Sequence, residues 1–259
     1  MTMNAKTNDI LLTRAQALRL NGLARHWSEV AGAEWVAPLI QWEEDERTHR
    51  SLQRRIRAAK LGDFKALGDF DWQWPKRIDR MAVNELMSLE FVKEATNAVF
   101  IGPNGVGKST LAQNVAHQAL IQGYTVLFKA AGEMLGELAA LDSDSALRRR
   151  LHHYATPDLL CIDEVGYLSY SNRHADLLFE LVSRRYGTRS TIVTTNKPFS
   201  EWSEVFPNAA CVVSLVDRLV HRAEVVAIEG ESYRVKEARE RAEQRTKKRS
   251  AARMEKKKS

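Results

Sequence analysis

Residues Gly102-Pro103-Asn104-Gly105-Val106-Gly107-Lys108-Ser109 constrain the fold more than any other stretch of this 259-residue chain. They match G-x-x-x-x-G-K-[ST] at each position. The apolar run Val99-Phe100-Ile101 precedes them and a helical pattern beginning near Ser109 follows. Such a loop needs a strand on one side and a helix on the other. Its glycines let backbone N–H groups close around phosphate oxygens, and the helix N-terminus adds partial positive charge. Lys108 is placed to reach the β- and γ-phosphates and the Ser109 hydroxyl to hold Mg²⁺, with Thr110 completing the nucleotide-binding set. The expected cofactors are ATP and Mg²⁺.

The rest of the chain supports that context. From Asn97 onward, short apolar runs alternate with helical ones. The strand candidates are Ala98–Ile101, Thr125–Phe128, Leu159–Ile162, Thr191–Thr195 and Val225–Ile228. The helical candidates are Ser109–Gln122, Glu133–Leu141, Ser145–Tyr154, Ala175–Tyr186 and Asn208–Arg222. Alternation of this kind predicts an α/β domain with a mostly parallel sheet and helices on both faces. The strands carry no polar alternation, as expected of strands covered on both sides. Residues 10–95 differ: Leu11, Ala15, Leu18, Trp27, Trp35, Ile40 and Trp42 recur at helix-like intervals. A connector, Leu61–Pro75, holds Phe64, Phe70, Trp72 and Trp74, whose rings serve packing or base stacking.

Two further segments complete a phosphate-hydrolysing constellation. Leu159-Leu160-Cys161-Ile162-Asp163-Glu164 is an apolar run ending in two acids. Ligands of an open parallel sheet bind at the carboxyl ends of its strands. Asp163 is placed to bind Mg²⁺, directly or through water. Glu164 is placed to polarise the water that attacks the γ-phosphate. Thr191–Asn196 is the next strand, and Asn196 either contacts the γ-phosphate and the attacking water or serves as a turn residue before Lys197-Pro198. A water-activating acid argues for hydrolysis, not transfer to a metabolite. A metabolite kinase would also need a lid and an acceptor pocket, for which the sequence shows no segment.

Charge is distributed unevenly. The net charge is +6, yet residues 236–259 contain 11 basic and 4 acidic residues, so the tail alone makes the chain basic. A second basic cluster comprises Arg47, Arg50, Arg54, Arg55, Arg57, Lys60 and Lys65 against a single acid, Asp63. Such clusters attract nucleic-acid phosphates; a solvated helix face and a solubilising tail are the alternatives. Cys161 and Cys211 are too far apart in sequence to form a metal cluster or a disulfide framework. No run approaches the roughly 20 apolar residues of a membrane span. Met1–Asp9 lacks an apolar leader. The expectation is a reduced, cytoplasmic protein that does not associate with membranes.

Taken together, these motifs resemble the AAA+ ATPases, and within them the IstB family of insertion-sequence transposition helpers, near the DnaC-type helicase loaders. Thr195-Asn196-Lys197-Pro198-Phe199-Ser200-Glu201-Trp202 is similar to the family's sensor-1 segment. Asp217-Arg218-Leu219-Val220-His221-Arg222-Ala223-Glu224 is similar to its arginine-finger segment, which makes Arg218 the candidate finger. Glu229-Gly230-Glu231-Ser232-Tyr233-Arg234 is similar to its last strand region, with Arg234 the candidate second sensor. Without the family, Arg218 reads as a surface arginine paired with Asp217 or Glu224. The resemblance implies an ATP-dependent homo-oligomer that binds and deforms duplex DNA with little sequence preference and passes it to a transposase. A helicase loader is the alternative. The implied organisation is a helical DNA-binding or assembly domain with connector (1–75), a three-layer ATPase domain (76–235) and a basic tail (236–259).

Overall fold

The computed structural model describes residues 2–167, 170–207 and 209–258. The chain separates into two compact units, Met1–Arg57 and Ala58–Ser259. The segment 58–75 therefore belongs to the second unit.

The first unit is helical. It holds α1 (Thr2–Ala17), α2 (Asn21–Arg25), α3 (Trp27–Val30) and most of α4 (Val36–Ala59). Leu11, Ala15 and Leu18 recur at three- to four-residue spacing and bury against Val36 and Ile40. Arg14 ties α1 to α4 by donating to Glu44 at 2.6 Å and to Gln41 at 2.8 Å. Trp35 and Trp42 follow the apolar periodicity but are 51% and 67% exposed.

The second unit is built on a sheet. In chain order it contains β1 (Arg77–Ile78), α5 (Arg80–Ser88), α6 (Glu90–Lys93), β2 (Asn97–Ile101), α7 (Lys108–Ile121), β3 (Val126–Ala130), α8 (Ala131–Ala139) and α9 (Asp144–Ala155). There follow β4 (Leu159–Val165), α10 (Asn172–Arg185), β5 (Ser190–Thr195), α11 (Trp202–Val205), α12 (Ala209–Val220), β6 (Ala223–Glu229) and α13 (Tyr233–Lys258). The sheet order is β1-β6-β2-β5-β4-β3. All neighbours are parallel except β1, which pairs antiparallel with β6 at the edge. The five strands expected from the sequence are present; the short edge strand β1 was not expected.

Helix α7 covers one face of the sheet, while α8, α10 and α12 bury Leu135, Leu178 and Leu215 on the other against Leu160, Ile162 and Val193. Because both faces are covered, Ala98, Val99 and Phe100 are fully buried in succession. This is an α/β/α P-loop architecture. No helix among the described residues is long and apolar enough to cross a membrane.

One buried charge holds the amino ends of the central strands. Arg185, at the end of α10, is 1% exposed. It donates to the carbonyls of Ala155 and Pro157 at 2.9 Å, and to those of Tyr154 (3.2 Å) and Ser190 (2.5 Å). These carbonyls flank β4 and β5, so one guanidinium fork replaces several missing backbone donors. Arg185→Met is expected to destabilise the unit by about 4 kcal/mol, because each buried group left unpaired costs about 1–3 kcal/mol. The melting temperature should fall by about 10 °C in calorimetry. A fall under about 3 °C would show that the carbonyls find other partners.

Candidate nucleotide site

The phosphate loop leaves β2 and enters α7, as its sequence requires. Gly105 has φ 78° and Gly107 φ 103°, left-handed values that glycine adopts without strain. Space is equally limiting. A Cβ at Gly105 would lie 2.2 Å from Ser232 Oγ, and one at Gly107 would lie 2.5 Å from the Phe70 ring. Val106 is buried and anchors the loop. Lys108 is 5% exposed, and its ammonium donates to the carbonyls of Gly102 and Pro103, both at 2.7 Å. Burial pulls its pKa down to about 8; Asp163 and Glu164 pull it up, and Arg234 lowers it. A buried ammonium with a lowered pKa favours a polyanion beside it.

The acid pair sits at the carboxyl end of β4, next to the loop. Ser109 Oγ donates to Asp163 Oδ1 at 2.8 Å. Thr194 Oγ1, from β5, donates to the same carboxylate oxygen and accepts the Glu164 N–H at 3.0 Å. The β4–β5 register shifts between Ile162 and Val165, and Glu164 has φ 62°. A bulge of this kind turns a side chain away from its strand alternation, and here it does so at the second acid. Ser109 and Asp163 present adjacent hard oxygens. That donor set suits Mg²⁺, which Ser109 and Asp163 would hold. Among the described residues, no cluster of three His, Cys, Asp or Glu forms a separate metal site.

Around these groups lies a cavity of about 660 Å³, within the range of small-molecule sites. Lys108, Ser109, Thr110, Asp163, Glu164 and Arg234 line it together. Gly102, Pro103 and Asn104 form the entering half of the loop and do not line the cavity. Asn196 follows β5 outside the lining, and its Oδ1 is buried without a hydrogen-bond partner. A Cβ at Gly166, in the turn beyond the acids, would lie 3.5 Å from that oxygen. An orphaned buried acceptor is costly unless a ligand or water satisfies it.

Arg218 lies outside the cavity, on α12. Its guanidinium sits 4.5 Å from the Phe179 ring centre and donates to Ser183 Oγ, both on α10. An acid partner, Asp217 or Glu224, was the expectation from residue types alone; an aromatic face and a hydroxyl occupy that place instead.

The basic cluster is partly neutralised. Arg47 pairs with Glu43 at 3.4 Å and Arg50 with Glu46 at 2.5 Å, each one turn back along α4. Arg55 donates to Ser51 at 2.7 Å. Arg54, Arg57 and Lys60 are exposed and make no ion pair among the described residues.

A family model described as IstB-like ATP binding protein matches residues 13–241. The chain belongs to this IstB-like family. It is 32% identical over 231 residues to the insertion sequence IS5376 ATP-binding protein of Geobacillus stearothermophilus, covering 86% of this chain and 92% of that one. It is 36% identical over 206 residues to the insertion sequence IS21 ATP-binding protein of Pseudomonas aeruginosa, covering 80% and 78%. The IstB-like chain also resembles the crystal structure of DnaI, with a TM-score of 0.55 and 19% identity over 65% of this chain and 92% of that one. AMPPCP-bound DnaA from Aquifex aeolicus gives a TM-score of 0.55 and 21% identity, covering 71% and 56%. At these identities the structural likeness is one of AAA+ fold.

Two features of the IstB-like site escaped the sequence reading. The connector reaches the nucleotide cavity, where Asp63, Phe64, Phe70 and Trp74 contribute to its wall. Thr194 binds the Asp163 carboxylate and the Glu164 backbone N–H, and its only sequence signal is a hydroxyl inside a fully buried strand. Thr194→Val keeps the shape and removes both hydrogen bonds. ATP turnover should fall about 10- to 100-fold, as for loss of a group orienting metal ligands, with ATP affinity nearly kept. Unchanged turnover would show that the acids hold their geometry without it.

Proposed function

We propose that this IstB-like protein is an ATPase that assembles on duplex DNA, deforms it and presents it to a partner transposase. The observation that carries the reading is the Ser109–Asp163–Thr194–Glu164 array beside Lys108, in a cavity that lacks Arg218.

The chemistry follows from these groups. Backbone N–H groups of the loop and the Lys108 ammonium bind the β- and γ-phosphates, exchanging the Gly102 and Pro103 carbonyls for a stronger anionic partner. Ser109 and Asp163 would hold Mg²⁺. The ion would supply charge neutralisation at the phosphate oxygens. Glu164 accepts a proton from the attacking water, and Asn196, whose Oδ1 is left without a partner just outside the lining, is the candidate to receive the water's other hydrogen. Arg234 faces the phosphates from the cavity wall. Among the described residues, Lys65, Lys108 and Arg234 are the lysine and arginine side chains that line the cavity, and a transition state with more negative charge calls for a further cation. A neighbouring subunit's Arg218 supplies it, so hydrolysis depends on assembly. Contacts of this head-to-tail kind build rings or helical filaments.

DNA binding rests on Arg54, Arg57, Lys60, Arg47, Arg50 and Arg55 and on the basic tail. Phosphate contacts carry little sequence information, which fits a target chosen without strong sequence preference. Bending the duplex costs about 1–6 kcal/mol, which contacts repeated over many subunits offset. The relatives matched by sequence carry insertion-sequence names, which favours a transposase over a replicative helicase as partner.

The test is duplex binding with ATP, ADP and no nucleotide, with mass measured on the same samples. The reading predicts ATP-dependent binding together with a large increase in mass. A monomer that hydrolyses ATP and ignores DNA in all three states would defeat it.

A further inference from the structure

We propose that α13 is an arm whose anchoring is set by ATP and whose basic outer half grips the phosphates of duplex DNA. The inference rests on the cavity binding ATP, and it adds the element through which that binding is relayed.

Helix α13 runs 26 residues from Tyr233 to Lys258. Its sequence is polar all round, and residues 238–245 are exposed without exception. A helix without an apolar face is not fixed by core burial. Its placement must come from its first turns.

Those turns are fastened to the phosphate loop and the connector. The Tyr233 N–H donates to the Gly105 carbonyl at 2.9 Å. Ser232 occupies the space where a Gly105 Cβ would stand. The Trp74 indole N–H donates to the Glu231 carbonyl at 2.9 Å, and its ring meets Tyr233 edge-on. Lys236 Nζ lies 2.9 Å from Asp71 and 4.5 Å from the Trp74 ring centre. Lys65 pairs with Glu237. The fastening is therefore a clasp of hydrogen bonds, rings and exposed ion pairs, each individually weak.

The same clasp is part of the cavity wall. Tyr233, Arg234 and Glu237 line the cavity with Lys108 and Ser109. A polyphosphate entering beside Arg234 attracts that side chain and so favours the anchored position of the helix start. This is the differential interaction that a ligand needs in order to shift an equilibrium.

Charge along the helix is segregated. Residues 233–244 are nearly balanced, with 4 basic and 3 acidic residues, whereas residues 245–259 hold 8 basic residues and 1 acidic residue. The clasped end and the basic end are thus separate, and the basic end matches a phosphate backbone. Coupling between ATP and DNA through α13 must be reciprocal: each tightens the other by the same factor.

The experiment combines hydrogen exchange with DNA binding on the full chain, using a non-hydrolysable ATP analogue and a fluorescent 30-base-pair duplex. The comparisons are a chain ending at Gln244, which keeps the clasp, and Lys236→Ala, which loosens it. In the full chain the analogue should slow exchange of amides 233–240 and tighten duplex binding, each by about tenfold or more. The 1–244 chain should keep the slowed exchange, its mass increase and its analogue affinity. Its DNA tightening should fall about fivefold or more below that of the full chain, with a shallower salt dependence, the remainder coming from Arg54, Arg57 and Lys60. Lys236→Ala should lose the slowed exchange. A triple change of Lys247, Lys248 and Arg249 to Gln should reproduce the truncation in part.

Unchanged exchange at 233–240 with the analogue bound would overturn the proposal. So would full DNA tightening in the 1–244 chain, or a loss of tightening that tracks a loss of mass. Analogue affinity is measured separately by calorimetry. No binding there would defeat the ATP reading itself, whereas binding without slowed exchange defeats only the arm.

Discussion

Arg218→Ala should leave ATP binding by the isolated chain unchanged and lower turnover of the assembled protein by about 10³-fold or more. The first half follows from position: Arg218 is on α12, outside the cavity that holds Lys108 and Asp163. The second follows from the proposed role, a cation supplied across a subunit boundary to a transition state whose charge spreads over the γ-phosphate oxygens. The substitution also removes the contact with Phe179 and the hydrogen bond to Ser183. Those losses amount to about 1–2 kcal/mol, too little to unfold the domain, and a melting curve separates them from the catalytic effect. Arg218→Lys should recover little, since an ammonium does not reproduce the planar fork. Wild-type turnover in assembled Arg218→Ala would remove this residue from the mechanism.

Glu164→Gln should bind ATP within about twofold of wild type and hydrolyse it about 10²- to 10⁴-fold more slowly, the range for loss of a general base. The amide fits the same volume. The backbone feature that aims the residue, its left-handed φ with the N–H on Thr194, does not depend on the carboxylate. Binding and assembly should therefore survive while the clock that ends them stops. Duplex DNA should stay bound after ATP is diluted away, and the variant should persist as the large species. Turnover at the wild-type rate would assign water activation to another group.

Much of this was legible in the chain itself. Strands β2 to β5 are buried on both faces, β6 alternates between buried and exposed residues, and all five were placed within a few residues. The phosphate loop, with both neighbours in place, fixed the positions of Lys108, Ser109, Asp163 and Glu164. What was hidden depended on tertiary contact. Strand β1 is two residues long, too short for any periodicity. Phe70 and Trp74 carry no signal that places them against the phosphate loop more than 25 residues away; the fold does that. Arg218 was given an acid partner because nearby acids are visible in sequence, whereas Phe179 comes from helix α10 packed alongside. The basic cluster looked stronger than it is because Glu43 and Glu46 lie just before its first arginine and reach forward one turn to Arg47 and Arg50. Thr194 resembles any buried strand threonine until the acids beside it are seen.

The most direct test of the central claim is subunit complementation. Lys108→Ala lacks its own phosphate grip but keeps Arg218; Arg218→Ala keeps its own site but lacks the finger. Each alone should be nearly inactive. Mixed in equal amounts with ATP and duplex DNA, they should recover about one quarter of wild-type turnover, the share of head-to-tail contacts that join an intact site to an intact finger. A mixture no more active than the sum of its parts, with mass showing mixed assemblies, would contradict a site completed by a neighbouring subunit.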